Sequence, residues 1–118
     1  MNYLNVIKDD LKFTDQQILS IKDDMEIIQK ILDKYDIEFK NPVNIAFYNH
    51  LTSAVDRIKE GKFVDEIDEG TVSELTSKSI SISEEILGDI FKKYGQDINK
   101  SEIYLVAIYV ETFFKSKL

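Results

Sequence analysis

Thr14-Asp15-Gln16-Gln17 is followed by Ile18, Ile21, Met25, Ile28, Leu32 and Tyr35, apolar residues separated by alternating steps of three and four. Only an α-helix gathers such a series onto one stripe. The Thr-x-x-Gln form is a capping box, in which each side chain takes up a backbone N–H of the opening turn. The spacing therefore predicts a helix from Thr14 to about Asp36. Asp15, Lys22, Asp23, Asp24, Lys30 and Asp33 point mostly elsewhere, as on a solvated face. A helix with one apolar stripe must bury it against neighbours. In a chain of 118 residues, 43% of them hydrophobic, that neighbour is the rest of one globular unit.

The remaining segments are also helical in pattern. Tyr3, Leu4, Ile7 and Leu11 suggest a short N-terminal helix. Asn41-Pro42 breaks the chain, because the residue before proline avoids helical geometry and proline is tolerated in a first turn. A helix is expected from Val43 to Lys59 with Val43, Phe47, Leu51, Ala54, Val55 and Ile58 inward, and Gly61 stands where a left-handed cap belongs. Between Lys62 and Ser81, Phe63, Val64, Ile67, Val72 and Leu75 fit a loop with one or two helical turns. Ser81-Ile82-Ser83-Glu84 offers a second capping box, followed by the stripe Ile86, Leu87, Ile90, Phe91 and Tyr94 up to Gly95. Asn99-Lys100-Ser101-Glu102 opens a last helix that is apolar almost all round from Ile103 to Phe114, as a central helix or one shared with a second subunit would be. Only Ser79 to Ser83 alternates in the manner of a strand. The expectation is an all-α bundle of about five helices.

Composition excludes several kinds of chemistry. With no cysteine there is no disulfide framework, thiol nucleophile or thiolate metal site, which points to a reduced, cytoplasmic setting. One histidine rules out a multi-histidine metal centre, so neither metal nor cofactor is expected. Lys and Arg number 15 against 22 Asp and Glu, and the net charge of −7 opposes direct binding to nucleic acid, which relies on clustered cations. Met1-Asn2-Tyr3-Leu4 lacks the form of a signal peptide, and the run Ile103 to Val110 is far short of the ~20 apolar residues that cross a bilayer, so no membrane association is expected.

The paired carboxylates Asp9/Asp10, Asp23/Asp24, Asp65/Glu66, Asp68/Glu69 and Glu84/Glu85 read as solvated faces, since adjacent helical residues diverge by about 100°. Glu102 reads as a favourable charge at a helix N-terminus. Tyr104, Tyr109, Phe113 and Phe114 read as core. His50 falls about 60° from the centre of its helix's apolar stripe, and Arg57 about 80° to the same side and about 10 Å further along. Such a rim position leaves an imidazole oriented yet reachable. A neutral imidazole nitrogen is a nucleophile toward phosphoryl donors, and a nearby arginine can hold the phosphate formed.

Asn44-Ile45-Ala46-Phe47-Tyr48-Asn49-His50-Leu51-Thr52-Ser53-Ala54-Val55-Asp56-Arg57 resembles the first signature of the phosphotransferase-system regulation domain, or PRD. His50 occupies its phosphorylatable histidine, while Asn49 stands where Asp is commoner and Ser53 where Phe is commoner. Ile86 to Gly95 resembles the helix before the second signature, and Glu102-Ile103-Tyr104-Leu105-Val106-Ala107-Ile108-Tyr109-Val110 resembles that signature, with Tyr109 at its histidine position. The second site is therefore degenerate, and a two-site switch is not expected. The segment Lys62 to Ile80 departs most.

The resemblance implies a compact five-helix bundle over residues 25–114, with residues 1–24 forming an N-terminal helical extension and the start of the first long helix, as one globular domain overall. It also implies a homodimer. PRDs typically occur in pairs behind nucleic-acid-binding domains, and phosphorylation controls dimerisation and hence transcription antitermination or activation. This chain is expected to be a stand-alone, non-enzymatic regulator. Its His50 would accept a phosphoryl group from the carrier HPr or an enzyme II component, with Arg57 as the candidate phosphate contact. The alternative is a PRD-like dimeric interaction module that has lost phosphorylation.

Overall fold

The computed structural model describes residues 3–63 and 66–117. Met1 and Asn2 of the chain's opening, Val64 of the apolar series and Asp65 of the Asp65/Glu66 pair lie outside the described residues. All regular structure among the described residues is helical. A short N-terminal segment, α1 (Tyr3–Asn5) continuing into a π-helical turn (Val6–Asp10), precedes α2 (Asp15–Lys34), α3 (Val43–Glu60), α4 (Glu69–Ser73), α5 (Ser77–Lys93) and α6 (Lys100–Lys115). The bundle of five helices with an additional N-terminal helical piece is the architecture expected.

α2 begins as its capping box requires: the Gln17 N–H donates to Thr14 Oγ1 at 3.1 Å and the Thr14 N–H donates to Gln17 Oε1 at 2.8 Å. Ile21, Met25, Ile28 and Leu32 are buried, with Ile18 and Tyr35 half-buried at the stripe's ends. Asp24 overturns the expectation of a solvated position, because its side chain is only 1% exposed. Lys93 Nζ donates to its Oδ1 at 2.6 Å, the Tyr94 hydroxyl donates to its Oδ2 at 2.6 Å, and Lys59 Nζ lies 3.5 Å away. Burial alone raises the pKa of Asp24. These bonds and the charges of Lys93 and Lys59 outweigh that effect and hold the carboxyl below its usual range. One acidic residue thus ties α2 to the C-terminal ends of α3 and α5.

α3 buries Phe47, Leu51, Ala54, Val55 and Ile58 as expected, and Tyr48 and Thr52 as well, while Val43, expected inward, is 41% exposed at the first turn. Gly61 ends the helix at φ +69°, the left-handed geometry that favours glycine, and a Cβ there would only push aside the flexible end of the Gln96 side chain.

α5 is capped five residues before the expected Ser81. Thr76 is its cap, accepting the Ser79 N–H at 3.2 Å, and the Thr76 N–H donates to Glu111 of α6 at 2.6 Å. Ser79 and Ser83 are buried against neighbours, with the Ser83 hydroxyl donating to the Ser79 carbonyl at 2.8 Å, so the alternating serines are helix and not strand. α6 opens at Asn99, whose side chain accepts the Glu102 N–H at 3.2 Å. The α5–α6 packing is the most extensive in the molecule, and α3 packs on α6, on α2 and on the N-terminal segment. Tyr3, Val6 and Ile7 join the same core as α2, α3, α5 and α6.

Candidate functional site

His50 lies on α3 between the buried Phe47 and Leu51, and is itself half-buried. Its ring meets Tyr109 of α6, with centroids 5.2 Å apart and planes at 52°. Tyr109 is fixed from behind by Phe47 at 5.5 Å and Phe39 at 6.2 Å, and Phe39 also meets Phe113 at 5.7 Å. These aromatic contacts orient the imidazole without using its nitrogens. Neither nitrogen has a hydrogen-bond partner among the described residues, and the residue is partly open to solvent.

Two turns along α3, Arg57 donates through Nε to Glu102 Oε2 at 2.7 Å and through Nη2 to Glu102 Oε1 at 2.8 Å. The carboxylate is fully buried and the guanidinium is 26% exposed. The fork-to-fork pairing is the strong, planar kind of ion pair, and it raises the pKa of Arg57. Glu102 does occupy the first turn of α6, as its sequence position suggested, but its main partner is a helix away. The two contacts share a register: His50 and Arg57 are seven residues apart, as are Tyr109 and Glu102, and the pairing runs in opposite directions. α3 and α6 are therefore joined antiparallel by two rungs about 10 Å apart. One rung is closed by charge. The other ends in an imidazole with unused nitrogens.

Burial pushes the Tyr109 phenol up from its usual value, so it stays protonated at neutral pH. Ser53, one turn after His50 on the same helix, is half-buried and its hydroxyl has no partner among the described residues. Two of the positions at which the sequence departs from the signatures therefore border His50. Among the described residues no group of three or more His, Asp or Glu side chains could hold a metal ion, and no helix is long and apolar enough to cross a membrane.

Compared with known families, residues 25–113 match the PRD domain. The chain belongs to the PRD family. Its members are regulatory domains of the sugar phosphotransferase system, and the matched stretch begins inside α2 and takes in all of α3, α4 and α5 and most of α6. Neither the curated proteins nor the solved structures returned a match. All three site positions expected from sequence, His50, Arg57 and Tyr109, lie within the PRD. The fold brings His50 to Tyr109 and holds Arg57 on Glu102. Sequence reasoning missed the Arg57–Glu102 pair and the Asp24 cluster. The one available signal was an acidic residue at a position that periodicity places next to a buried stripe.

Proposed function

We propose that this PRD is a cytoplasmic regulator that accepts a phosphoryl group on His50 from HPr or from an enzyme II component, and that the modification controls its association with itself and with other proteins in transcription regulation. The carrying observation is the half-buried imidazole, oriented by Tyr109 on the α3–α6 seam with neither nitrogen held by a described residue. In the transfer, the lone pair of an unprotonated His50 nitrogen attacks phosphorus. A new N–P bond forms as the donor's N–P bond breaks, and the donor nitrogen recovers its electron pair with no net proton change. The transition state is loose, so positioning the acceptor nitrogen is most of what the protein contributes. The protein is the acceptor of the group and turns over no substrate.

The phosphoryl group adds roughly two negative charges beside α6. Leu105 lies half-buried on α6 one turn before Tyr109, and the apolar character of this helix almost all round supports homodimerisation beside the site. New charge at its border would weaken or re-aim such an interface. Arg57 could contact the phosphate only through donors not already held by Glu102, so its contribution is to fasten α3 to α6. Incubation with a reconstituted phosphorelay should place acid-labile phosphate on His50 and none on the His50→Ala variant. An unlabelled wild-type protein at saturating donor would refute the reading.

A second reading, an interaction module without phosphorylation, draws support from Tyr109, which supplies an aromatic contact to His50 at the second histidine position. It predicts that His50→Ala changes stability and leaves partner capture unchanged.

A further inference from the structure

The half-buried α3–α6 seam around His50 carries two hydroxyls with no partner among the described residues, those of Ser53 on α3 and Tyr109 on α6. Helical hydroxyls in this protein commonly bond back to their own helix: Ser20 to the Gln17 carbonyl at 2.9 Å, Thr52 to Tyr48 at 2.9 Å, Ser83 to Ser79 at 2.8 Å and Thr112 to Ile108 at 2.9 Å. Ser53 makes no such bond. It follows His50 by three residues, a spacing at which helical side chains are neighbours about 5–6 Å apart at Cβ. Tyr109 approaches from the other helix, its ring against the imidazole at 5.2 Å. The nearest arginine along α3, Arg57, is held two turns away by Glu102.

We propose that the Tyr109 and Ser53 hydroxyls form an uncharged cradle that donates hydrogen bonds to the phosphoryl oxygens carried by His50. The inference rests on His50 being a phosphoacceptor. The chemistry suits the task, because O–H donors to an anionic oxygen form the stronger class of hydrogen bond. The phenol, kept protonated by burial, remains a donor throughout the neutral range. Loss of the group passes through a loose, planar, metaphosphate-like transition state, so donors positioned for the tetrahedral bound group stabilise it more than that transition state and slow its departure. Neutral donors do this without the permanent clamp of an arginine, and the group stays transferable. Tyr109 and Ser53 would thus set how long the modification lasts. The position that no longer offers a second phosphoacceptor would serve the first.

Phosphoramidate, a small phosphoryl donor that needs no protein partner, allows the test on the full chain. Wild type, Tyr109→Phe, Ser53→Ala and the double variant are loaded with it, the label is mapped to His50, and its loss is followed by phosphorus NMR at a temperature where all four are folded. Each single variant is expected to shorten the phosphohistidine lifetime about three- to tenfold, the scale of one hydrogen bond to a charged group, and to shift the phosphorus resonance. Both substitutions keep the shape of the side chain, so the thermal midpoint of the unmodified protein should hold. A double variant with the wild-type lifetime and resonance overturns the cradle. So does failure of phosphoramidate to label His50 under conditions that label free histidine. A protein that is labelled by phosphoramidate but not by the relay counts against the phosphorelay reading alone, and the lifetimes still decide the cradle.

Discussion

Replacing Arg57 with Met keeps most of the aliphatic stem and removes the guanidinium that partners a carboxylate with no solvent exposure. Glu102 would lose two charged hydrogen bonds, at 2.7 and 2.8 Å. Stranding one member of a fully buried pair costs about 3–5 kcal/mol. Arg57 is itself a quarter exposed, and water entering from that side places the expected loss near the low end, about 3 kcal/mol. At about 4 °C per kcal/mol for a domain of this size, the thermal midpoint should fall by about 12 °C. Glu102→Gln on top of Arg57→Met removes the stranded charge, so the double variant should be less impaired than the two single losses added together, with a coupling of about 2 kcal/mol. Urea denaturation of the four proteins measures all these terms. A loss below about 1 kcal/mol for Arg57→Met, or a coupling indistinguishable from zero, would refute the claim that this pair fastens α3 to α6.

Asp24→Asn should destabilise the protein by about 2 kcal/mol near pH 7, since it weakens charged bonds from Lys93 and Tyr94. The folded carboxyl titrates below its ordinary value, so its stabilisation is complete above about pH 4 and fades as pH falls through the folded value. The gap between the denaturation curves of wild type and variant should therefore narrow as pH falls below about 4, and a gap unchanged through the acid range would contradict the assignment. Glu111→Ala leaves the Thr76 N–H at the start of α5 without its 2.6 Å acceptor. The expected cost is about 1 kcal/mol, with faster hydrogen exchange at the Thr76 amide, and unchanged exchange there would refute the cap.

Most of the fold could be read from local rules. The Thr14 capping box and the Asn99 start each join a side chain to backbone groups a few residues away, and the Gly61 cap joins its own backbone N–H to the Arg57 and Ile58 carbonyls, so the sequence contains both partners. The start of α5 could not be read in that way. Part of its cap comes from Glu111, 35 residues further on, and its buried face includes Ser83, whose hydroxyl bonds back to the Ser79 carbonyl, and Ser79, whose hydroxyl accepts from the Thr76 cap and bonds Glu111 of α6. The Asp24 cluster escaped for a related reason: a charge belongs in the core when Lys59, Lys93 and Tyr94 from other helices meet it there, and periodicity does not say which helices meet. The same holds for the site. A helical projection places His50 and Arg57 on one rim, but only packing shows that α6 answers them in register with Tyr109 and Glu102. The family resemblance located three of those four residues as site positions, and the fourth, Glu102, stood at the head of the second signature without a role.

The phosphorelay assay bears most directly on the central claim. Purified protein is incubated with the general phosphotransferase enzymes, HPr and a phosphoryl source, and bound phosphate is mapped by acid lability and peptide analysis. The account predicts stoichiometric, acid-labile, reversible labelling at His50, abolished in His50→Ala and preserved in Tyr109→Phe. A folded wild-type protein that stays unlabelled at saturating phosphorylated HPr and enzyme II components, or label found anywhere other than His50, would contradict it.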